Sequence, residues 1–452
     1  MKMPSQQDHP PLYVLSDLHL APRSEALSFH SHAALVGLLE YMRAQAQPVR
    51  LILNGDVFDF LQLPDYDTLS LPMAAPRMSA ILDALDKEDA AHNIVQALRR
   101  FTQAGHILHC QPGNHDPELH WHSVQEVLQA RLGASPPLPY NLACWSVQAY
   151  GHQVQGMHGH WQDPFNAISA ETMGKAEADG DASVKLPPGS NMVLQVINPY
   201  RRARDAQGRK RFPFIDGMPT EMAVIFSLLY LDPKLAWKRI QTALGLGAQA
   251  LLRRLALYLR PAHLLTEESQ AIDENPVLKQ LADDLFMRMT PTERIPQNTD
   301  MICQEIETYL QGAQAAPNTL AASDGWFGRL LLRALAHEIS QAQAVQDAAC
   351  QDALAVDSIT TWGRHPSGPM IAITGHTHAP KQIQYVGGLY LNSGSWQDSY
   401  ALPQDLTEEG VKQWLQDLQQ AKLPALRRCP VLRVDEAGAG LLEWDGTGLR
   451  AW

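Results

Sequence analysis

The chain has 452 residues, 45% of them hydrophobic, and a formal net charge of −12. This is ordinary globular composition with room for two or three domains, and it excludes a disordered or fibrous chain. The excess of acid disfavours nucleic acid as a general partner. The five scattered cysteines form no CxxC pair, which excludes a zinc ribbon or thioredoxin site and fits a reducing compartment.

In chain order, a short polar leader with Pro4, Pro10 and Pro11 precedes an apolar run at Leu12–Ser16 that reads as a buried strand. The leader lacks a basic stretch followed by an apolar one, so no secretory signal is expected and a cytoplasmic location is. His32–Ala46 has helical periodicity, Arg50–Asn54 reads as a second strand, Ala90–Ala104 as a helix closed by Gly105, and His106–Gln111 as a third strand. Strands alternating with helices predict an α/β sheet with covered faces. Cys144–Tyr150 and Gln153–Met157 predict a hairpin around Gly151-His152.

From Asp163 to Gly368 the period becomes helical. Leu244, Leu251, Leu252, Leu255 and Leu259 share one helical face, and Glu221–Leu231 and Gly328–Asp352 are further helices. Strands resume at Met370–Thr374, Gln382–Val386 and Leu389–Asn392, the last two joined at Gly387-Gly388. The tail predicts a helix at Glu408–Gln420 and a hairpin of Val431–Val434 with Leu441–Trp444. The expected organisation is a core of residues 1–162 and 369–452 interrupted by a helical cap, residues 163–368. No apolar run reaches the roughly 18 residues of a membrane span.

The chemistry sits just after the strands. Asp17 and His19 follow the first, Asp56 the second, and Asn114, His115 and Asp116 the third. His158 follows the hairpin, and His376 and His378 follow Met370–Thr374. Ligand sites of α/β sheets form beyond the carboxyl ends of strands. Carboxylates, imidazoles and one amide without a thiolate suit manganese, iron or zinc. Two divalent cations need a bridging anion, and Asp56 is the candidate bridge.

Asp17-Leu18-His19, Gly55-Asp56, Gly113-Asn114-His115-Asp116, His158 and Gly375-His376-Thr377-His378 resemble, in order, the five motif blocks of the calcineurin-like metallophosphoesterases. Asn392-Ser393-Gly394-Ser395-Trp396 is similar to the segment that follows the family's last histidines. The resemblance covers Leu12–Trp161 and Met370–Trp396. It implies a four-layer α-β-β-α sandwich, here with a large helical insertion, and two divalent ions, most simply Mn²⁺, with Fe or Zn²⁺ as alternatives. One ion would take Asp17, His19, Asp56 and His378, and the other Asp56, Asn114, His158 and His376. The implied reaction is attack on phosphorus by a hydroxide held between the metals. By the same resemblance His115 would stabilise the transition state or protonate the leaving oxygen, and Asp116 would orient or polarise it by a hydrogen bond.

The lack of an arginine before Gly113 or in the second block departs from the protein phosphatases of the superfamily. Asp17-Leu18-His19-Leu20 and Gly55-Asp56-Val57-Phe58 resemble the UDP-2,3-diacylglucosamine pyrophosphatases, which have arginine where this chain has His115 and a much shorter insert. The expected partner is a small or lipid-linked phosphoester, with peripheral membrane contact left open. A nuclease and a non-catalytic metal-binding scaffold on the same fold are the alternatives.

Four further residues are candidate substrate contacts. His160 and Asp163 either touch substrate or shape the loop after His158. Arg201 and Arg202 belong to a basic run, Asn198–Phe212, that is either a solvated loop or a phosphate site. Asp59 is read either as a support behind the metal ligands or as a helix-start carboxylate. His106 and His109 are read as packing residues.

Overall fold

Leu12 and Val14 point to one side of their strand and Tyr13 and Leu15 to the other, yet all four are buried, so this strand is covered on both faces. The computed structural model describes residues 10–21, 29–139, 144–180, 183–244, 299–312, 326–347, 353–362 and 370–452. Its strands are β1 (Leu12–Leu15), β2 (Arg50–Asn54), β3 (Leu69–Ser70), β4 (Ile107–Gln111), β5 (Trp145–Ala149), β6 (His152–Gly156), β7 (Ser183–Val184), β8 (Met370–Thr374), β9 (Lys381–Tyr385), β10 (Gly388–Asn392), β11 (Pro430–Asp435), β12 (Gly438–Trp444) and β13 (Leu449–Ala451).

One sheet runs β13-β12-β11-β1-β2-β4 and a second β5-β6-β8-β10-β9, while β3 and β7 form a small pair. β1, β2 and β4 are parallel, as are β6, β8 and β10, so each set delivers its carboxyl ends to one edge. Leu12, Val14, Ile52, Leu432 and Val434 of the first sheet form one apolar cluster with Trp145, Val154, Ile371, Ile373, Leu389 and Leu391 of the second. Burial of each large side chain there contributes about 1.5–3 kcal/mol.

Helices complete the sandwich. His32–Arg43 carries Tyr41, whose ring centroid lies 5.4 Å from that of Trp444 on β12. Ile94–Gln103 stacks Phe101 on His106, which accepts the Val49 N–H and faces the Arg43 carbonyl. Leu354 and Ala355 of helix Ala353–Trp362 pack with Met370, Ala372 and Tyr390. The layers are therefore α-β-β-α, and His106 has the packing role expected of it.

The chain divides into two compact units. The first comprises residues 1–187, 344–398 and 426–452 and contains both large sheets. The second comprises residues 188–343 and 399–425. Residues 163–187 and 344–368, assigned from sequence to the insert, fall in the first unit, and residues 399–425 fall in the second. The second unit is helical, with Glu221–Leu231, Pro233–Leu244, Thr299–Gly312, Trp326–Gln346 and Glu408–Gln419. Nine of the eleven residues of Glu221–Leu231 are buried, which makes it a central helix, and Tyr309 donates to the carbonyls of Leu229 and Tyr230. The leucine face expected at residues 244–259 lies, beyond Leu244, outside the described residues. Among the described residues no helix is long and apolar enough to cross a membrane.

Several expectations are corrected in detail. The β5–β6 turn is Tyr150-Gly151, both with positive φ, the primed geometry of a two-residue hairpin. The β9–β10 loop is Val386-Gly387, because Gly388 already pairs with Tyr385. Helices Leu71–Leu85 and His122–Leu132 were not anticipated, the first because it contains Pro72 and Pro76.

Candidate metal centre

The loops after β1, β2, β4, β6 and β8 meet at one edge of the sandwich, in the first unit. The loops of β1 and β2 extend their strands' pairing, with Asp17 N–H on the Gly55 carbonyl at 3.1 Å and His19 N–H on the Asp56 carbonyl at 2.8 Å. Within the second sheet, Gly375 N–H donates to the His158 carbonyl at 2.8 Å, extending the β6–β8 pairing, and across the sheets Asn54 Nδ2 donates to the Met157 carbonyl at 2.8 Å.

Glycine is required where these loops touch. A Cβ on Gly113 would fall 2.5 Å from the Asp56 nitrogen, and one on Gly375 would fall 2.6 Å from Asp17 Oδ2. The backbone is strained at the centre. Seven described residues other than glycine have positive φ, and five of them are Asp17 (53°), His19 (49°), Asp56 (50°), His376 (68°) and His378 (56°). Such conformations are costly for side chains other than Gly, Asn and Asp, and they concentrate at functional sites.

The expected ligands converge. Asp17, His19 and His378 offer ligand atoms within 4.8 Å of one another, as do Asp17, Asp56 and His158, and also His19, Asp56 and His115. His378 Nε2 lies 3.3 Å from Asp17 Oδ1 and 3.3 Å from His19 Nε2. His158 Nε2 lies 3.3 Å from Asp56 Oδ2. His376 stands beside His158, ring centroids 5.3 Å apart, and its backbone N–H donates to the Asp17 carboxylate at 3.1 Å.

Hydrogen bonds behind the ligands select which atoms face inward. His158 Nδ1 is 3.1 Å from the Asn54 carbonyl, so Nε2 is the atom presented to the centre. His19 Nδ1 is 3.1 Å from Asp59 Oδ2, again presenting Nε2. His376 Nε2 is 3.2 Å from Asp163 Oδ2, which leaves Nδ1. Metal-binding imidazoles are held in this way. Asn114 Oδ1 is buried without a hydrogen-bond partner among the described residues, as is His158 Nε2 apart from its ion-pair distances to Asp56 and Asp17. Buried acceptors of this kind, among carboxylates and imidazoles, fit a divalent cation.

Electrostatics agree. Burial opposes ionisation of Asp56, but His158 and His115 outweigh it and hold the carboxyl well below its usual range. Burial also disfavours a charged His158, yet Asp56 and Asp17 raise it to about 9. The carboxylates thus attract positive charge to the point where His158 presents Nε2.

One expectation changes. Asp116 does not orient His115. Its carboxylate accepts the backbone N–H groups of Asp56, Val57, Phe58 and Gly113 at 2.7–3.1 Å, making it the structural hub of the second and third loops. Burial and then Asp56 push its carboxyl up to about 7. The residue facing His115 is Asp59, whose Oδ1 lies 3.0 Å from His115 Nδ1. Asp59 stands at the start of the short helix Phe60–Gln62, but its side chain makes no capping bond there and faces the two imidazoles instead, which favours the support reading.

Of the candidate substrate contacts, His160 and Asp163 belong to the first unit. Asp163 is engaged by His376, Asn166 and the Phe165 N–H. His160 is 2% exposed and faces the Ile168 carbonyl, which suits a loop-shaping role. Arg201 and Arg202 belong to the second unit, where Arg201 Nε lies 3.6 Å from Asp216.

Residues 10–185 match the family model described as calcineurin-like phosphoesterase. This part of the chain is a calcineurin-like phosphoesterase domain. It is a metal-dependent phosphoesterase, a hydrolase. No curated protein matches the chain. The matched segment contains the candidate residues Asp17, His19, Asp56, Asn114, His115 and His158, while His376 and His378 stand beside them from beyond that segment.

Proposed function

We propose that the phosphoesterase domain works with two divalent ions, most simply Mn²⁺, on a phosphomonoester, phosphodiester or pyrophosphate of a small or amphiphilic substrate. Asp17, His19, Asp56 and His378 would hold one ion, and Asp56, Asn114, His158 and His376 the other. The observation that supports this reading is the convergence of Asp17, His19, Asp56, His158 and His378, whose ligand atoms fall in groups within 4.8 Å, four of these residues in left-handed backbone. Ions bound there supply Lewis acidity toward phosphoryl oxygens and a nucleophile at neutral pH. His115, beside His19 and Asp56 with Nδ1 turned to Asp59, protonates the leaving oxygen.

The test is hydrolysis of p-nitrophenyl phosphate and bis-p-nitrophenyl phosphate by metal-stripped protein, with Mn²⁺ restored. We expect Mn²⁺-dependent turnover that falls by about 10²–10⁴-fold in His115→Ala, the range of a lost general acid. Full turnover in that variant would remove His115 from the chemistry. Absence of turnover with either ester at saturating Mn²⁺ would count against the hydrolytic reading.

A further inference from the structure

Strand β10 ends at Asn392, and the four residues Asn392–Ser395 lie between ligand loops that come from different sheets. The Asn392 side chain is fully buried. Its Nδ2 donates to the Gly375 carbonyl at 2.9 Å and to the hydroxyls of Thr374 and Thr377 at 3.1 Å each. Its Oδ1 accepts the Gly394 N–H at 2.9 Å. One amide thus grips the loop that carries His376 and His378. The next residues grip the loop of β1. Ser395 Oγ donates to the Asp17 carbonyl at 2.9 Å, and Ser16 Oγ donates to the Gly394 carbonyl at 3.3 Å. Ser16 also bonds Ser393 Oγ and the Asp17 carboxylate.

β1 and β8 belong to different sheets and share no backbone ladder. Asp17 and His378 nevertheless stand 3.3 Å apart, both in left-handed backbone that relaxes unless held. We propose that Asn392–Ser395 is a positioning strap that sets the spacing of these two loops, with Asn392 as the positioning residue on which the centre's affinity for divalent metal depends. This rests on the reading of the centre as a metal site. An asparagine is suited to the role because it offers two N–H donors and an acceptor on one rigid plane. Aspartate keeps the shape and the bond from Gly394 but turns an oxygen toward the Gly375 carbonyl, so that donation is lost and the Thr374 and Thr377 hydroxyls can stay bonded only by becoming donors.

The experiment titrates Mn²⁺ alone into metal-stripped full-length protein by calorimetry. It compares the parent with Asn392→Asp, Thr377→Val and Ser395→Ala, and follows melting in chelator and the kcat and KM for bis-p-nitrophenyl phosphate. The expected result for Asn392→Asp is at least a tenfold loss of Mn²⁺ affinity. Its kcat falls while KM stays within about twofold, since the strap touches ligand loops rather than the bound ester. Thr377→Val, losing the bond from Asn392, and Ser395→Ala, losing its bonds to the Asp17 carbonyl and from the Gln397 N–H, shift Mn²⁺ affinity the same way by a few-fold with melting in chelator unchanged. Folded variants that bind Mn²⁺ within twofold of the parent overturn the proposal, even where melting shifts. If Asn392→Asp does not fold, the other two variants decide the matter by the same criterion. A parent that binds no Mn²⁺ overturns the metal-site reading and the strap together, an outcome separate from failure in the variants alone.

Discussion

Asp59→Asn replaces one atom and tests the hydrogen-bond logic behind two histidines at once. The native carboxylate has only acceptors. Oδ2 receives Gln62 Nε2 at 2.7 Å and faces His19 Nδ1 at 3.1 Å, while Oδ1 faces His115 Nδ1 at 3.0 Å. Burial disfavours its charge, but His115 and His19 hold the carboxyl well below its usual range, so it is ionised wherever the protein is folded near neutrality. Asparagine offers one acceptor and one NH₂ donor. If the NH₂ faces His115, that imidazole must accept at Nδ1 and carry its proton on Nε2. If it faces His19, the proton moves onto the nitrogen presented to the metal. The first arrangement removes the acceptor that supports a charged His115, and the second protonates the nitrogen with which His19 would bind metal. Loss of such a support costs about 10–100-fold in metal affinity or turnover, equivalent to about 1.4–2.7 kcal/mol. Calorimetric Mn²⁺ titration and kcat on p-nitrophenyl phosphate measure the two branches. Imidazole ¹⁵N shifts identify which ring changed tautomer. An Asp59→Asn protein with parental Mn²⁺ affinity, parental kcat and unchanged imidazole shifts would refute the reasoning.

Three further outcomes are expected. A metal entering the centre must displace the proton that Asp56 and Asp17 hold on His158 up to about pH 9. Mn²⁺ affinity should therefore fall by up to about tenfold per pH unit on acidification below that value, with proton release on binding, and pH-independent affinity between about pH 6 and 8 would contradict it. Gly113→Ala places a methyl against the Asp56 backbone and carboxylate, so it should lower stability by roughly 1–3 kcal/mol and weaken Mn²⁺ binding. Unchanged melting and Mn²⁺ titration would show that these loops do not meet as closely as described. Glu118 is fully buried, receives the Tyr66 hydroxyl at 2.8 Å, and is pushed up to about 8 by burial. The unfolded chain releases this proton first, near the model-peptide value of about 4.3. The group's contribution to stability is therefore full below that pH and is lost as pH rises toward 8. Glu118→Gln should melt higher than the parent at pH 8 but not at pH 4, and parallel melting-pH profiles would argue against it.

The alternating strands and helices, and the ligand set after them, were legible because both are local. A buried strand is a short apolar run, and its carboxyl end is where the next few residues must carry the chemistry. Order and spacing therefore singled out Asp17, His19, Asp56, Asn114, His158, His376 and His378 as candidate ligands even though the last two lie more than 200 residues beyond the others. What could not be read was which side chains support which. Asp59 and Asp116 are both carboxylates close to a motif, and nothing local distinguishes them. Only the packed loops turn Asp116 onto four backbone N–H groups and Asp59 onto two imidazoles. The role of Asn392 is likewise tertiary, because its partners become neighbours only when β8 and β10 pair. The helix at Leu71–Leu85 was hidden by its prolines, and its buried face with Met78, Ile81 and Leu82 outweighs their local cost. Short-range pattern thus determined the elements and the ligand types, whereas contacts between loops far apart in sequence decided the hydrogen bonds that aim them.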